Sequence, residues 1–474
     1  MKKNFDVCVI GAGPGGYVAA IRAGQKGLNV ALIERENFGG TCLNTGCIPT
    51  KALISGAELL SQVKHAAEFG INISNGGKPV PVWSKMLDRK NDIIIKLRSG
   101  IGSLLKAAGV TVFSGSAAFI DRNSVAVKVN GKTQDEISAK NFIIATGSGA
   151  LVPGFIPEHK RILTSTELLS IKEIPKKLLI LGGGVIGCEF ACLFAELGSE
   201  VTIVEMLPSI LPNLDKEISK TQTQYMKNAG INIITGNPMQ NIKAEKNSVS
   251  GTVGSLTVSA DYLLVAIGRK PCTDGLELHA AGVNTNERGW VPVDAYCRTN
   301  IPSIYAIGDV AGKIWLAHLA SAMGITAVDN ILGAQREFDY TLVPGCIFTF
   351  PEIGTVGMTE EECQNKGIKY HIGKFPFAAL GKAMAINHTE GFCKIIADAE
   401  TDQVLGVHII GPHATDLIAE AVPAMNLEIT AKELGMAIHA HPTLGEVMME
   451  AAHAVHNESA HIPLKRSKSA STRS

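Results

Sequence analysis

Two cysteines five positions apart, Cys42 and Cys47, lie in the run Gly39-Gly40-Thr41-Cys42-Leu43-Asn44-Thr45-Gly46-Cys47-Ile48-Pro49-Thr50-Lys51. Such a pair can alternate between disulfide and dithiol, exchanging with another thiol through a mixed disulfide. In a regular helix, residues five apart lie ~7.5 Å along the axis and ~140° around it. A disulfide needs Cα atoms within roughly 7 Å and converging Cβ vectors. The bond therefore requires an irregular turn, for which Asn44, Gly46 and Pro49 supply the local chemistry. A helix starting near Pro49 would favour a nearby thiolate through its N-terminal dipole. Two plainer readings compete, a pair of inert buried thiols and half of a metal site. No histidine or further cysteine lies close enough in sequence to complete four ligands, so no metal is expected.

What precedes the pair favours redox chemistry. Val7-Cys8-Val9-Ile10 leads into Gly11-Ala12-Gly13-Pro14-Gly15-Gly16, a helical stretch, and Asn29-Val30-Ala31-Leu32-Ile33-Glu34. Leu178-Leu179-Ile180-Leu181 leads likewise into Gly182-Gly183-Gly184-Val185-Ile186-Gly187, a helical stretch, and Glu200-Val201-Thr202-Ile203-Val204-Glu205. In both, the first glycine precedes the acidic residue by 23 positions (34 − 11 and 205 − 182). The first glycine permits a tight turn, the second admits a pyrophosphate, and the third lets helix and strand pack closely. The helix start offers free N–H groups to the phosphates, and the carboxylate accepts a ribose diol. One such pattern is only a βα turn; two, each with its acidic residue, predict two bound dinucleotides. Met206, Leu207 and Pro208 follow Glu205 with no arginine to meet a 2′-phosphate, which favours NAD over NADP there. A thiol pair just beyond the first dinucleotide turn is best read as a redox pair.

The elements that must hold these residues repeat as well. A β-rich excursion (residues 110–131 and 231–259) leads each time to an apolar strand ending in glycine, Phe142-Ile143-Ile144-Ala145-Thr146-Gly147 and Tyr262-Leu263-Leu264-Val265-Ala266-Ile267-Gly268. A third, Ile304-Tyr305-Ala306-Ile307-Gly308-Asp309, ends in a carboxylate open to two readings, a cofactor polyol contact or a helix N-cap. From about residue 346 short strands alternate with turns, and helices are expected over 414–426 and 443–456, forming a separate α+β domain. There Pro442 holds His441 in extended geometry just before a helix. Thr443-Leu444-Gly445-Glu446 has the pattern of a capping box. Glu446 is therefore either a cap or the partner that orients the His441 imidazole, while His439 reads as a packed histidine.

A chain of 474 residues exceeds one ordinary core. With 46% hydrophobic and 19% charged residues it has ample material for globular packing. Its 44 basic and 44 acidic residues cancel, so no long-range field draws it to nucleic acid or an anionic membrane. Ten cysteines in such a length make no disulfide scaffold and suit a reducing compartment. The basic start is followed by too short an apolar run for a signal peptide. Residues 178–195 come nearest to a membrane span, but a glycine triplet and Glu189 predict strand, turn and helix instead. A cytoplasmic protein with a frayed basic, serine-rich tail is expected.

Over about residues 4–460 the chain resembles the pyridine nucleotide–disulfide oxidoreductases. The family's usual cysteine motif, Gly-Gly-Thr-Cys-Leu-Asn-Val-Gly-Cys-Ile-Pro-Ser-Lys, is matched except at Thr45 and Thr50. Ala266-Ile267-Gly268-Arg269-Lys270-Pro271, Ile307-Gly308-Asp309 and Ala440-His441-Pro442-Thr443 match too. The resemblance implies an α/β fold, with two Rossmann-like dinucleotide-binding domains plus a C-terminal α+β dimerisation domain. Its parts are an FAD-binding domain (1–148), an NAD-binding domain (149–272), a central domain completing the FAD site (273–345), an interface domain (346–461) and a flexible tail (462–474).

FAD would contact Gly11, Gly13, Gly16, Glu34, Gly40, Thr41, Lys51, Gly115, Thr146, Gly147, Ser148, Asp309, Ala317 and His318. Glu34 would take its ribose and Asp309 its ribityl chain. NAD would contact Gly182, Gly184, Gly187, Glu189, Glu205, Gly268 and Arg269. Cys42 would be the outer thiol and Cys47 the flavin-facing thiolate, with Lys51 near the flavin and paired with Glu189. His441, backed by Glu446, would act on the disulfide of the other subunit in a homodimer. The implied activity is oxidation of a dihydrolipoyl dithiol by NAD⁺. The implied partners are the lipoyl-bearing acyltransferase of a 2-oxoacid dehydrogenase complex or the lipoyl carrier of glycine cleavage. A glutathione-type reductase would want an NADP-binding arginine after Glu205. A mercuric reductase would want a C-terminal cysteine pair, whereas the last cysteine here is Cys393. Family members often carry lysine and glutamate in the stretch where this chain has Leu319 and Ser321, which bears on local surface and partner contacts.

Overall fold

The computed structural model describes residues 3–73 and 79–463. Residues 464–474 of the expected tail lie outside them. The chain forms two compact units, Met1–Pro175 with Leu264–Asp339, and Lys176–Leu263 with Tyr340–Ser474.

In the first unit, strand Lys3–Ile10 is flanked by Val30–Glu34 and Lys132–Ile144, both parallel to it, with Val7 opposite Val30 and Ile10 opposite Ile144. Its last four residues, Val7 to Ile10, are buried, as expected of a central parallel strand with both faces covered. Thr111–Ser114 extends the sheet beyond Val30–Glu34, and Ile304–Ala306 adds in parallel to Lys132–Ile144. Two antiparallel strands, Ser124–Val129 and Ser116–Asp121, supply the β-rich excursion. Helix Pro14–Gln25 begins with proline, which suits a first helical turn, and buries Gly15, Gly16, Ala19, Ala20 and Ala23. Those small residues let helix Ala317–Ile331 come unusually close. A Cβ on Gly15 would stand 2.9 Å from Ala320 O, and one on Gly324 2.7 Å from Gly15 O.

The second unit repeats the plan and adds to it. Lys177–Leu181, Glu200–Glu205 and Asn232–Thr235 form a parallel sheet. An antiparallel trio, Met239–Ala244, Val249–Val253 and Leu256–Ala260, forms the second excursion. Residues 178–195, the nearest approach to a membrane span in sequence, become strand Lys177–Leu181, a turn and helix Val185–Glu196. Among the described residues no helix is long and apolar enough to cross a membrane.

The C-terminal part of this unit is a five-stranded antiparallel sheet in the order 345–347, 352–357, 404–411, 392–398, 370–376. One face is covered by helices Ala414–Asn426, Ala431–Met436 and Glu446–Val455, around Phe375, Ile395, Val407, Ile409, Ile418 and Ala451. The helix at 414–426 has its expected bounds. The last helix runs Glu446–Val455 rather than 443–456; the turn before it is irregular, with the Thr443 N–H on the Glu446 carboxylate at 2.9 Å.

Candidate active site

The irregular turn that a Cys42–Cys47 bond demands is a break between two helices. Gly40–Thr45 ends at Gly46, whose φ is −141° and ψ −112°, and Cys47–Lys64 starts immediately after it. A side chain on Gly46 would press against Thr41 O at 3.0 Å and Cys42 Cα at 3.3 Å, so glycine eases the close approach of the two turns. Cys47 thus heads an 18-residue helix, where the dipole favours negative charge. Lys51, one turn on, shares its face. Thr50 ties the new helix back through its hydroxyl to Gly46 O at 2.6 Å. Cys42 is half-buried and Cys47 exposed. A hydrogen bond with the Cys47 side chain, then burial, pushes the Cys42 thiol up, with the Lys51 ammonium pulling the other way.

This loop is seated on the first glycine turn. Gly39 donates its N–H to Ala12 O at 2.7 Å, and a Cβ on Gly40 would stand 2.7 Å from Gly13 Cα. The three glycines of that turn differ in role. Gly11 has φ +97° and faces Ala145 O, where a Cβ would come within 2.6 Å. A Cβ on Gly16 would strike Gly11 O at 1.8 Å, whereas one on Gly13 would meet nothing within 4 Å. Open space at Gly13 suits an approaching pyrophosphate. Helix Pro14–Gln25 has no side-chain cap, nor has Ala317–Ile331, and their starts lie together, with Ser321 Oγ 3.2 Å from Pro14 O. Ala317 opens the second of these helices and His318 follows it. Leu319 is buried at 2% exposure, so the departure from the usual family stretch is absorbed in packing, and Ser321 joins the two helices.

Glu34, at the end of its strand, accepts Ala12 N–H at 2.6 Å and Glu36 N–H at 2.7 Å. Gly115 is bound to the same place by its N–H on Glu34 O at 2.9 Å. Thr146 Oγ1 is buried without a hydrogen-bond partner, next to Gly147 at φ +69°. Asp309 does not cap a helix. It lies within the short turn Gly308–Ala311, and its carboxylate accepts the Ser148 hydroxyl. Arg269, expected among the NAD contacts, is engaged in the first unit. It donates to Ser148 Oγ and Ser148 O at 2.6 Å each and lies 3.5 Å from Asp309. Gly268, φ +140°, precedes it and accepts Leu151 N–H at 3.0 Å. The open turn, uncapped helix starts and unsatisfied Thr146 hydroxyl suit a flavin dinucleotide.

The second unit repeats the turn bond for bond. Gly182 has φ +110°, a Cβ on Gly187 would strike Gly182 O at 2.0 Å, and one on Gly184 would meet nothing within 4 Å. Glu205 accepts Gly183 N–H at 2.6 Å and Leu207 N–H at 2.7 Å. These residues suit a nicotinamide dinucleotide. Glu189 lies in helix Val185–Glu196 and is 4% exposed; it is no solvated helix face, and it accepts Phe348 N–H at 3.1 Å.

His441 Nδ1 lies 2.9 Å from Glu446 Oε1, and the other oxygen of Glu446 holds Thr443 N–H. One Glu446 carboxylate thus holds both the turn before the helix and the His441 ring, without a side-chain cap on the helix itself. The His441 side chain is 77% exposed and Glu446 15%. Burial raises the Glu446 carboxyl, but Thr443 and His441 outweigh it and hold the group below its ordinary value. His439 is tied at both ring nitrogens, to Ala437 O and Glu420, each at 2.8 Å, which suits a packed histidine.

Two features had no signal in the sequence. Arg98 forks onto Asn44, between the two cysteines, from 54 residues away. Lys394, inside an apolar strand, is fully buried on Asp215 and Glu360.

Two dinucleotide turns with a thiol pair on the first define a flavin- and nicotinamide-dependent disulfide oxidoreductase. The profile described as pyridine nucleotide-disulphide oxidoreductase matches residues 5–324, and that of the same family's dimerisation domain matches residues 343–452. The chain belongs to this family. It is 45% identical to dihydrolipoyl dehydrogenase of Chlamydia muridarum, covering 98% of this chain and 100% of that one. It is 41% identical to the enzyme of the same name from Geobacillus stearothermophilus, over 97% and 98%. Among solved structures it is similar to LpdA from Mycobacterium tuberculosis, with TM-score 0.88 and 27% identity over 94% and 99% of the chains. The flavoprotein disulfide reductase RclA from Escherichia coli gives 0.86 and 31%, over 96% and 99%.

Proposed function

We propose that this chain is an NAD-dependent dihydrolipoyl dehydrogenase that oxidises a protein-bound dihydrolipoyl dithiol to the cyclic disulfide. The observation that carries the reading is the cysteine pair on a helix broken at Gly46 and seated on the first glycine turn. Full-length similarity to dihydrolipoyl dehydrogenases supports the substrate.

The residues act in a defined order. His441, oriented by Glu446, takes the proton of one substrate thiol. The resulting thiolate attacks Cys42 Sγ of the Cys42–Cys47 disulfide, forming a mixed disulfide and releasing Cys47 as thiolate. The second substrate thiol, passing its proton to the departing Cys42, then attacks its own neighbour's sulfur, closing the lipoyl disulfide and releasing Cys42 as a thiol. The pair now holds two electrons. FAD, when bound, would supply the chemistry that accepts an electron pair and passes it on as hydride. Gly11, Gly13, Gly16, Glu34, Gly115, Thr146, Gly147, Ser148, Asp309, Ala317 and His318 would hold it, with Cys47, Gly40, Thr41 and Lys51 at its reactive edge. Gly182, Gly184, Gly187, Glu189, Glu205, Gly268 and Arg269 would hold NAD.

The domain division at residues 148, 272, 345 and 461 is part of this reading. The dimerisation domain supports a homodimer, in which each Cys42–Cys47 pair meets His441 of the partner subunit. A cytoplasmic location suits the chemistry, and the partners are lipoyl domains of a 2-oxoacid dehydrogenase acyltransferase or of the glycine-cleavage carrier. Steady-state NAD⁺ reduction by dihydrolipoamide, beside glutathione and mercuric-ion controls, tests it. Turnover with dihydrolipoamide alone is expected; a preference for either control substrate would overturn the assignment.

A further inference from the structure

Asn44 stands between the two cysteines, and its amide is fully committed. Its Nδ2 donates to Phe38 O at 3.0 Å and Gly40 O at 2.8 Å. Its Oδ1 accepts from Arg98 Nε at 3.1 Å and Nη2 at 2.6 Å. A guanidinium carries donors only, so it forces the amide oxygen toward itself and leaves both amide hydrogens for the two carbonyls. A flipped amide would oppose donor to donor and carbonyl to carbonyl. Arg98 itself is carried on a rigid support. Its helix, Trp83–Ala107, is pinned by Trp83 Nε1 on Ile171 O and by the buried Lys90 Nζ on Leu169 O, each at 2.9 Å.

We infer that Arg98 is a positioning residue for the redox pair, fixing through the Asn44 amide the turn that carries Cys42 and Cys47. The inference rests on the redox role proposed for that pair, but not on which dithiol is its substrate. Holding two groups in reacting geometry raises their effective concentration, and loosening the hold lowers it. Without the fork, the turn samples more geometries and the intramolecular disulfide is less favoured. The bidentate geometry is what matters, because a lysine ammonium cannot reproduce the planar fork.

The test equilibrates purified holoenzyme in graded dithiothreitol buffers, without substrate or nicotinamide. Acid quench, alkylation and peptide mass analysis then give the fraction of Cys42–Cys47 disulfide. Arg98→Met should lower the disulfide formation constant about tenfold, a rise of about 30 mV in potential for this two-electron couple. Arg98→Lys should shift it as far, and Arg98→Met should add nothing in an Asn44→Ala background. An Arg98→Lys protein with the parental constant would mean that charge alone acts, and the inference fails. It fails equally if neither variant shifts. Should Arg98→Met not retain flavin, Arg98→Lys decides by the same comparison. A shifted constant in a protein that does not turn over dihydrolipoamide would sink the substrate assignment and leave the lock standing.

Discussion

Glu205 accepts the N–H of Gly183 at 2.6 Å, so the carboxylate proposed to take a dinucleotide ribose also closes the glycine turn behind it. Glu34 and Ala12 repeat the bond at the same length. A carboxylate held this way accepts a 2′-hydroxyl and repels a 2′-phosphate. NAD⁺ should be strongly preferred over NADP⁺. Glu205→Ala removes a charged acceptor worth ~1.5–3 kcal/mol, so kcat/KM for NAD⁺ should fall roughly ten- to hundredfold. The preference over NADP⁺ should collapse with it. Coenzyme kinetics check both, and equal kcat/KM for the two coenzymes in the parent protein would contradict the account.

The His441–Glu446 pair makes a second prediction. A dihydrolipoyl thiol is mostly protonated at neutral pH, as an ordinary thiol is, so its attack needs a base. His441→Gln should cost ~10²–10⁴-fold in dihydrolipoamide oxidation while FAD stays bound and reducible by NADH. The Glu446 carboxyl lies below its ordinary value, so its stabilising contribution is full above that value and is lost only as pH falls through the lower folded one. The Glu446 carboxylate therefore stays ionised across the neutral range. Mixing Cys42→Ser chains with His441→Gln chains should restore one intact site per heterodimer; no recovery after verified exchange would sink the shared site.

Stability of the second unit should depend on Lys394. Its side chain is 1% exposed and that of its partner Asp215 0%, with the two 3.0 Å apart. Burial raises Asp215, yet Lys394 outweighs it and lowers the carboxyl. Burial lowers Lys394, yet Glu360 and Asp215 outweigh it and raise the ammonium. Stability from Asp215 is thus lost only as pH falls through its lowered value, and that from Lys394 only as pH rises above the ordinary lysine value. Lys394→Met strands a buried carboxylate and should cost about 3–5 kcal/mol, whereas Lys394→Met with Asp215→Leu should recover much of it. Denaturant titration checks this, and a single variant as stable as the parent would refute it.

Much of this architecture is local and so readable in one dimension. The glycine spacings, the acidic strand ends and the need for an irregular turn near Gly46 all follow from neighbours in sequence. The bonds that hold the site are not local. Arg98 reaches Asn44 across 54 residues and Lys394 reaches Asp215 across 179, and no periodicity marks either end. Asp215 caps helix Lys216–Asn228 at Glu217 N–H, 3.0 Å away, and holds Lys394 as well. Asp309 is ambiguous for the opposite reason: both readings put a carboxylate at a strand end, and the bond from Ser148, 161 residues away, leaves no mark in sequence. The Thr-x-x-Glu pattern places the start of the last helix three residues early, since it does not reveal that the glutamate also serves a histidine.

The central claim is that electrons enter through Cys42 and Cys47, and alkylation tests it most directly. Oxidised holoenzyme is given one equivalent of dihydrolipoamide without NAD⁺, quenched in acid, unfolded and alkylated. The account predicts two new labels, on Cys42 and Cys47, with no other cysteine changed and the substrate recovered as the cyclic disulfide. Labels that appear elsewhere, or a pair that stays oxidised while the substrate is consumed, would contradict it.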